Sequence, residues 1–240
     1  VKLIFIPSIN HTGTNFLIEF FLQCFPEKNW NFVSVPALLK NPVLCRQEIE
    51  CSDNAFTPGL APSGNNLVHG HINEKDIPFL QMLAIASGYT VVPLRDPLLS
   101  VITQAHRRLG KGLPAEEQST FIVKQWVLWI KHFHQGGELI NPLYLKVDTK
   151  ENYTRRLDTL ESLLYFLELK YQKNLINTWA KRWPLHNPSR GEYELKMLYE
   201  MRNLKELKNR LPLAFEAFRD NETLIRDFME GKGYSCWWWR

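Results

Sequence analysis

Short unbroken apolar runs recur along this chain, each followed by a small polar turn and then a longer stretch of helical period. Lys2–Pro7 is the first such run, and near-continuous apolarity of that length marks a strand covered on both faces of a parallel sheet. Thr14–Cys24 follows with helical spacing, and Asn31–Val35 reads as a second strand. Asn41–Asn66 is dense in Pro, Gly, Ser and Asn and reads as a long loop, of the kind that serves as a lid. Asn66–His71 is a third strand, Glu74–Ser87 a helix closed by Gly88, and Tyr89–Leu94 a fourth strand.

Asp96 then stands at an N-cap position with Pro97 in the first helical place. Helix continues from there to about His134, broken near Gly110–Pro114. Pro142–Val147 is a fifth strand and Arg155–Leu169 an amphipathic helix. The remainder to Phe228 reads as helix, interrupted around Pro184–Gly191 and at Pro212. Strands separated by helices, with no two-residue hairpins, specify an α/β fold: a central parallel sheet flanked by helices. One domain over residues 1–240 is expected, with the 41–66 loop inserted and a helical C-terminal part from 155 onward. Trp237-Trp238-Trp239 is expected to pack the tail onto the body.

Two of the strand-to-helix turns carry candidate chemistry. The first is Asn10-His11-Thr12-Gly13-Thr14-Asn15-Phe16, the second Arg95-Asp96-Pro97. Each aims a helix N-terminus at whatever lies above the strand end, a disposition that suits a phosphate group. Ser100, Thr103 and Arg107 follow Arg95 at spacings that share one helix face, so guanidinium and hydroxyl donors can form a fork. The first turn lacks the lysine of the Walker pattern and has one glycine where a dinucleotide fingerprint needs three. Two such turns in one chain suit a ligand with two separate phosphates.

Composition narrows the classes. A net charge of +4 and a pI near 8.8 suit an anionic ligand, and no basic-aromatic array for nucleic acid is present. No apolar run reaches membrane-spanning length and no signal-peptide pattern opens the sequence. Cys24, Cys45, Cys51 and Cys236 form no CxxC pair, so reduced thiols and a cytoplasmic location are expected.

Taken together the two turns resemble those of the sulfotransferases that use phosphoadenosine phosphosulfate (PAPS). In that family the first strand leads into Lys-Ser-Gly-Thr-Thr-Trp or a near variant, which cradles the 5′-phosphosulfate; the matching residues are His11, Thr12, Gly13, Thr14, Asn15 and Phe16. The second motif is an Arg followed eight positions later by Ser, and it grips the 3′-phosphate; here Arg95, Pro97 and Thr103 fill it. Leu143–Asp148 and the helix ending Tyr165–Leu169 resemble the late strand and its helix, and Ser189-Arg190-Gly191 lies where the family carries a basic loop over the nucleotide. The resemblance implies a P-loop-like sulfotransferase architecture. It also implies transfer of a sulfuryl group to a hydroxyl or amine, with adenosine 3′,5′-bisphosphate as product and no metal required.

It offers two general bases. Val68-His69-Gly70-His71-Ile72 lies where cytosolic members carry Lys-Thr-His-Leu-Pro, so His71 matches the catalytic His and His69 the Lys. In an extended segment the two histidines share a face. Glu19, six residues past Gly13, has the spacing of the catalytic Glu in glycan-modifying members and is the second candidate. Phe16 stands where a Trp stacks on adenine, though it also fits a core with Leu17, Phe20 and Phe21. The family's loop Lys is His11 here, which carries charge only when protonated, and its Ser is Thr103. A phosphoryl-transfer enzyme with an atypical loop and a catalytically silent nucleotide binder are the alternatives. The acceptor, a small molecule or a glycan, would be chosen by the 41–66 loop, the Gly110–Pro114 break and the C-terminal helices.

Overall fold

The computed structural model describes residues 2–10, 12–25, 30–40, 65–109, 111–135, 141–147, 153–182 and 208–233. Five strands form the sheet: β1 (Leu3–Ser8), β2 (Trp30–Ser34), β3 (Asn65–His71), β4 (Gly88–Leu94) and β5 (Leu143–Lys146). Their order is β2-β3-β1-β4-β5 and every pairing is parallel, as the strand–helix alternation predicts.

Alternation along the strands splits the core in two. Phe5, Val33, Val68, Val92 and Leu94 face one buried cluster, while Ile4, Ile6, Phe32, Leu67, Val91 and Leu145 face the other. Helices α1 (Thr14–Cys24), α6 (Tyr153–Phe166) and α7 (Lys173–Arg182) cover the second face. The first face is covered by α2 (Val35–Lys40), α3 (Ile77–Ser87), α4 (Pro97–Leu109), α5 (Glu116–Trp129), α8 (Pro212–Asp220) and α9 (Glu222–Gly231). The result is helix, sheet, helix in three layers. Because α1 departs toward one face and the helices after both neighbours of β1 toward the other, the carboxyl end of β1 is a topological switch point. Ligands of doubly wound sheets bind at such switch points.

Several expected boundaries move. Val35 begins α2 instead of ending β2. Asn65 leaves the expected loop and joins β3, paired with Trp30, while its side-chain Oδ1 accepts the Lys2 amide at 2.9 Å. Glu74–Asp76 is a tight 3₁₀ turn ahead of α3, and α5 ends in a π-helical turn over Ile130–His134. Helix α6 stops at Phe166, where Glu168 takes a left-handed φ of 53° and the Leu169 amide reaches back to the Leu164 carbonyl. The expected break at Pro212 is present: residues 208–210 are helical, Leu211 is not, and Pro212 opens α8, where the Glu116 carboxylate of α5 accepts the amides of Leu213 and Ala214. Residues 41–64 of the expected loop, the expected break around Pro184–Gly191 and Trp237–Trp239 lie outside the described residues.

Candidate functional site

Four strand ends meet at this edge of the sheet, and β1 supplies the first element. Gly13, at the N-cap of α1, has φ +96° and ψ 19°, a left-handed conformation that glycine adopts without strain. A Cβ there would lie 2.5 Å from Val147 Cγ1, just past the end of β5, so the turn is seated against that strand only because residue 13 has no side chain. Thr12 is fully buried and its hydroxyl donates to the Ile9 carbonyl at 2.8 Å, which fixes the turn. Thr14 is 6% exposed, and its hydroxyl has no hydrogen-bond partner among the described residues. A buried hydroxyl left without a partner costs about 1–3 kcal/mol, and a ligand oxygen at the start of α1 would recover it.

The second element is the end of β3. His69 and His71 project to the same side, as their alternation requires, and both reach the Ser8 hydroxyl of β1. Ser8 Oγ lies 2.8 Å from His69 Nε2 and 3.1 Å from His71 Nδ1. The two rings meet edge to face at 4.8 Å, and Phe32 of β2 stacks on His69 at 6.2 Å. Gly70 between them admits Val35, whose Cγ2 would lie 2.5 Å from a Cβ at that position. Burial drives the His69 pKa well below the usual imidazole range, and the neighbouring His71 pushes it the same way. His71 faces solvent on its outer side, yet the protein mass around it lowers its pKa too, opposed by a hydrogen bond to the Ser8 backbone. Both rings are therefore neutral near pH 7, the state a proton acceptor needs.

At the end of β4, Arg95 is buried and is followed by Asp96, whose Oδ1 accepts the amides of Leu98 and Leu99 at 2.9 and 3.2 Å. The expected N-cap is present. The two hydroxyls of the expected fork bond within their own helix: Ser100 Oγ donates to the Asp96 carbonyl at 3.3 Å and Thr103 Oγ1 to the Leu99 carbonyl at 2.8 Å. In a helix these hydroxyls bond back one turn, a local partner that competes with any ligand.

This edge thus brings together Thr12, Gly13, Thr14, Arg95 and His71, each at the carboxyl end of a strand. Glu19 sits half-buried one turn into α1, the helix that covers the face on which the histidines stand. Phe16 is 4% exposed with its ring edge-on to Trp179 at 5.5 Å, the placement expected of the core alternative. His11 and Arg190, with the side chains of Asn15 and Arg107, lie outside the described residues. So do Cys45, Cys51 and Cys236, while Cys24 is a buried free thiol whose pKa is pushed up to about 12 by desolvation.

Two contributors escape sequence reasoning. One is Ser8, a small polar residue in register with His71 across the β1–β3 pair. The other is Gln125, fully buried in α5, which accepts the Asn10 amide at 3.0 Å and donates to the Ile72 carbonyl at 2.8 Å. It ties the loop after β1 to the end of β3. Its signal was a lone amide on the apolar stripe of Ile122, Trp126 and Trp129. Among the described residues no group of three His, Cys, Asp or Glu side chains could hold a metal ion, and no helix is long and apolar enough to cross a membrane.

Fold and site together define a doubly wound α/β protein with polar residues at the carboxyl edge of its sheet. No family model and no curated protein matches the sequence. Among the matching chains of known structure is the mouse sulfotransferase SULT7A1, crystallised in complex with PAP. It is 14% identical, with a TM-score of 0.48 over 76% of this chain and 64% of that one, so this chain spans less than two thirds of that protein's length.

Proposed function

We propose that this chain is a sulfotransferase that moves a sulfuryl group from PAPS to an acceptor hydroxyl or amine. The observation that supports it most is the buried Thr14 hydroxyl at the start of α1, without a partner among the described residues, near the strand end that carries His71. The 5′-phosphosulfate end suits the Thr12–Thr14 turn, and Arg95 suits the 3′-phosphate through a charge-assisted pair. Bound PAPS supplies the activated sulfur–oxygen bond. The protein's own part is to hold the donor in line with the acceptor, to meet charge on the departing oxygen with the turn's donors, and to take up a proton. His11 is the residue proposed to neutralise that departing oxygen, and Arg190 to cover the nucleotide. His71 receives the acceptor's proton as the acceptor oxygen or nitrogen bonds to sulfur and the bridging oxygen leaves with the bisphosphate. Glu19 is the second choice for that base.

The test is transfer of labelled sulfate from PAPS across phenols, glycans, peptides and lipids in the presence of a chelator. His71→Ala should lower turnover ~10²–10⁴-fold, the usual contribution of a general base, with donor binding nearly intact. A dead Glu19→Gln beside an active His71→Ala would move the base to Glu19. No transfer to any acceptor class would overturn the proposal.

A further inference from the structure

The Ser8 hydroxyl owns one proton and faces two ring nitrogens, His69 Nε2 at 2.8 Å and His71 Nδ1 at 3.1 Å. Its one proton can go to only one of the two rings, and its lone pairs can accept from the other. One observation bears on the polarity. The His71 ring also hydrogen-bonds to the Ser8 backbone, where the acceptor is a carbonyl that cannot donate. A hydrogen on the ring nitrogen turned toward Ser8 suits both the hydroxyl and the carbonyl.

We infer that Ser8 and His69 are positioning residues: the buried His69 takes the Ser8 proton, so that Ser8 Oγ accepts from His71 Nδ1–H and leaves His71 Nε2 bare and facing out. His69 suits this use because its Nε2 is aimed at Ser8 and its ring is clamped by Phe32. It is an orienter and not a proton store, since burial makes the charged ring costly there. No proton needs to travel along the chain. The pair selects one tautomer of His71, as second-sphere partners of catalytic histidines do.

The kinetic half of the test rests on the proposed function, and the spectroscopic half does not. In uniformly ¹⁵N-labelled full chain near pH 7.5, long-range ¹H–¹⁵N correlations should show His71 as the Nδ1–H tautomer with an unprotonated Nε2. Ser8→Ala should shift it toward the Nε2–H form that free imidazole prefers. His69→Leu, which keeps the site packed, should shift it the same way, and Ser8→Thr should leave it unchanged. With sulfuryl transfer in hand, Ser8→Ala should lower kcat at least tenfold without raising the donor KM, and Ser8→Thr should restore most of it. An Nε2–H tautomer in the wild type, or one indifferent to both Ser8→Ala and His69→Leu, would overturn the inference whether or not the chain transfers sulfate. Absent transfer with the expected tautomer shifts would instead uphold the orienting pair and overturn the proposed function.

Discussion

The turns after β1 and β4 sit at the ends of adjacent parallel strands and both open a helix, yet they leave those helices in opposite states. Helix α4 is closed by its own residues: Asp96 takes two amides, and the Ser100 and Thr103 hydroxyls bond back to carbonyls of their own helix. Helix α1 begins at a glycine with no side chain to cap it, and its first hydroxyl, on Thr14, is buried without a partner among the described residues. A helix start left open is available to an anion, whereas one already capped is not. On the proposed function the same local motif serves two ends, a ligand cradle after β1 and a rigid mount for Arg95 after β4.

The largest effect should come from closing the open turn with a side chain. Gly13→Ala imposes a left-handed residue and a Cβ 2.5 Å from Val147 Cγ1, together costing about 3 kcal/mol from the backbone and overpacking terms. Val147→Ala in the same chain should recover the packing part alone. Gly88→Ala, where φ is +69° and nothing lies within 4 Å of the added Cβ, should cost only the backbone part. Denaturant unfolding of the wild type and the three variants separates the terms, and equal losses at Gly13 and Gly88 would mean that Val147 does not press on the turn.

At the capped turn the discriminating group is Arg95. Arg95→Ala should weaken binding of adenosine 3′,5′-bisphosphate by about 2–4 kcal/mol, the value of a charge-assisted pair. The 5′-monophosphate analogue should hardly notice. Equal loss for both nucleotides would take Arg95 off the 3′-phosphate.

Much of this was legible in the sequence, because strands buried on both faces declare themselves as unbroken apolar runs. Lys2–Pro7 and Tyr89–Leu94 needed no partner to be read. Asp96 was equally plain, since capping is a matter of the next three residues. Ser8 and Gln125 were not, because each acts on a partner 61 or 53 positions away, and no local pattern records a contact between strands. Phe16 was ambiguous for the opposite reason: one aromatic residue satisfies both a core and a base-stacking site, and its contact with Trp179 could not be read from local sequence.

A smaller effect concerns pH. The folded His69 resists protonation, so below the ordinary imidazole range the unfolded chain binds a proton that the fold refuses. Stability is complete above about pH 6.5 and falls as pH drops, with a slope of up to about 1.4 kcal/mol per pH unit from His69. His71 and His134 act in the same direction. Urea unfolding between pH 8 and pH 5.5 should show this loss, and His69→Leu should flatten part of it. An identical slope in that variant would show that His69 is not the group refusing the proton.

The open helix start is the central claim, and Thr14→Val tests it with the smallest change in shape. Removing an unpartnered buried hydroxyl should leave the free protein as stable as before or more so, by about 1 kcal/mol. The decisive measurement is calorimetric titration of adenosine 3′,5′-bisphosphate, in chelator, into the wild type and Thr14→Val. Micromolar binding by the wild type and a loss of about 10–100-fold in the variant, the worth of a hydrogen bond to a charged group, is the predicted result. Equal affinity in the two proteins, or no binding by the wild type at millimolar nucleotide, would contradict it.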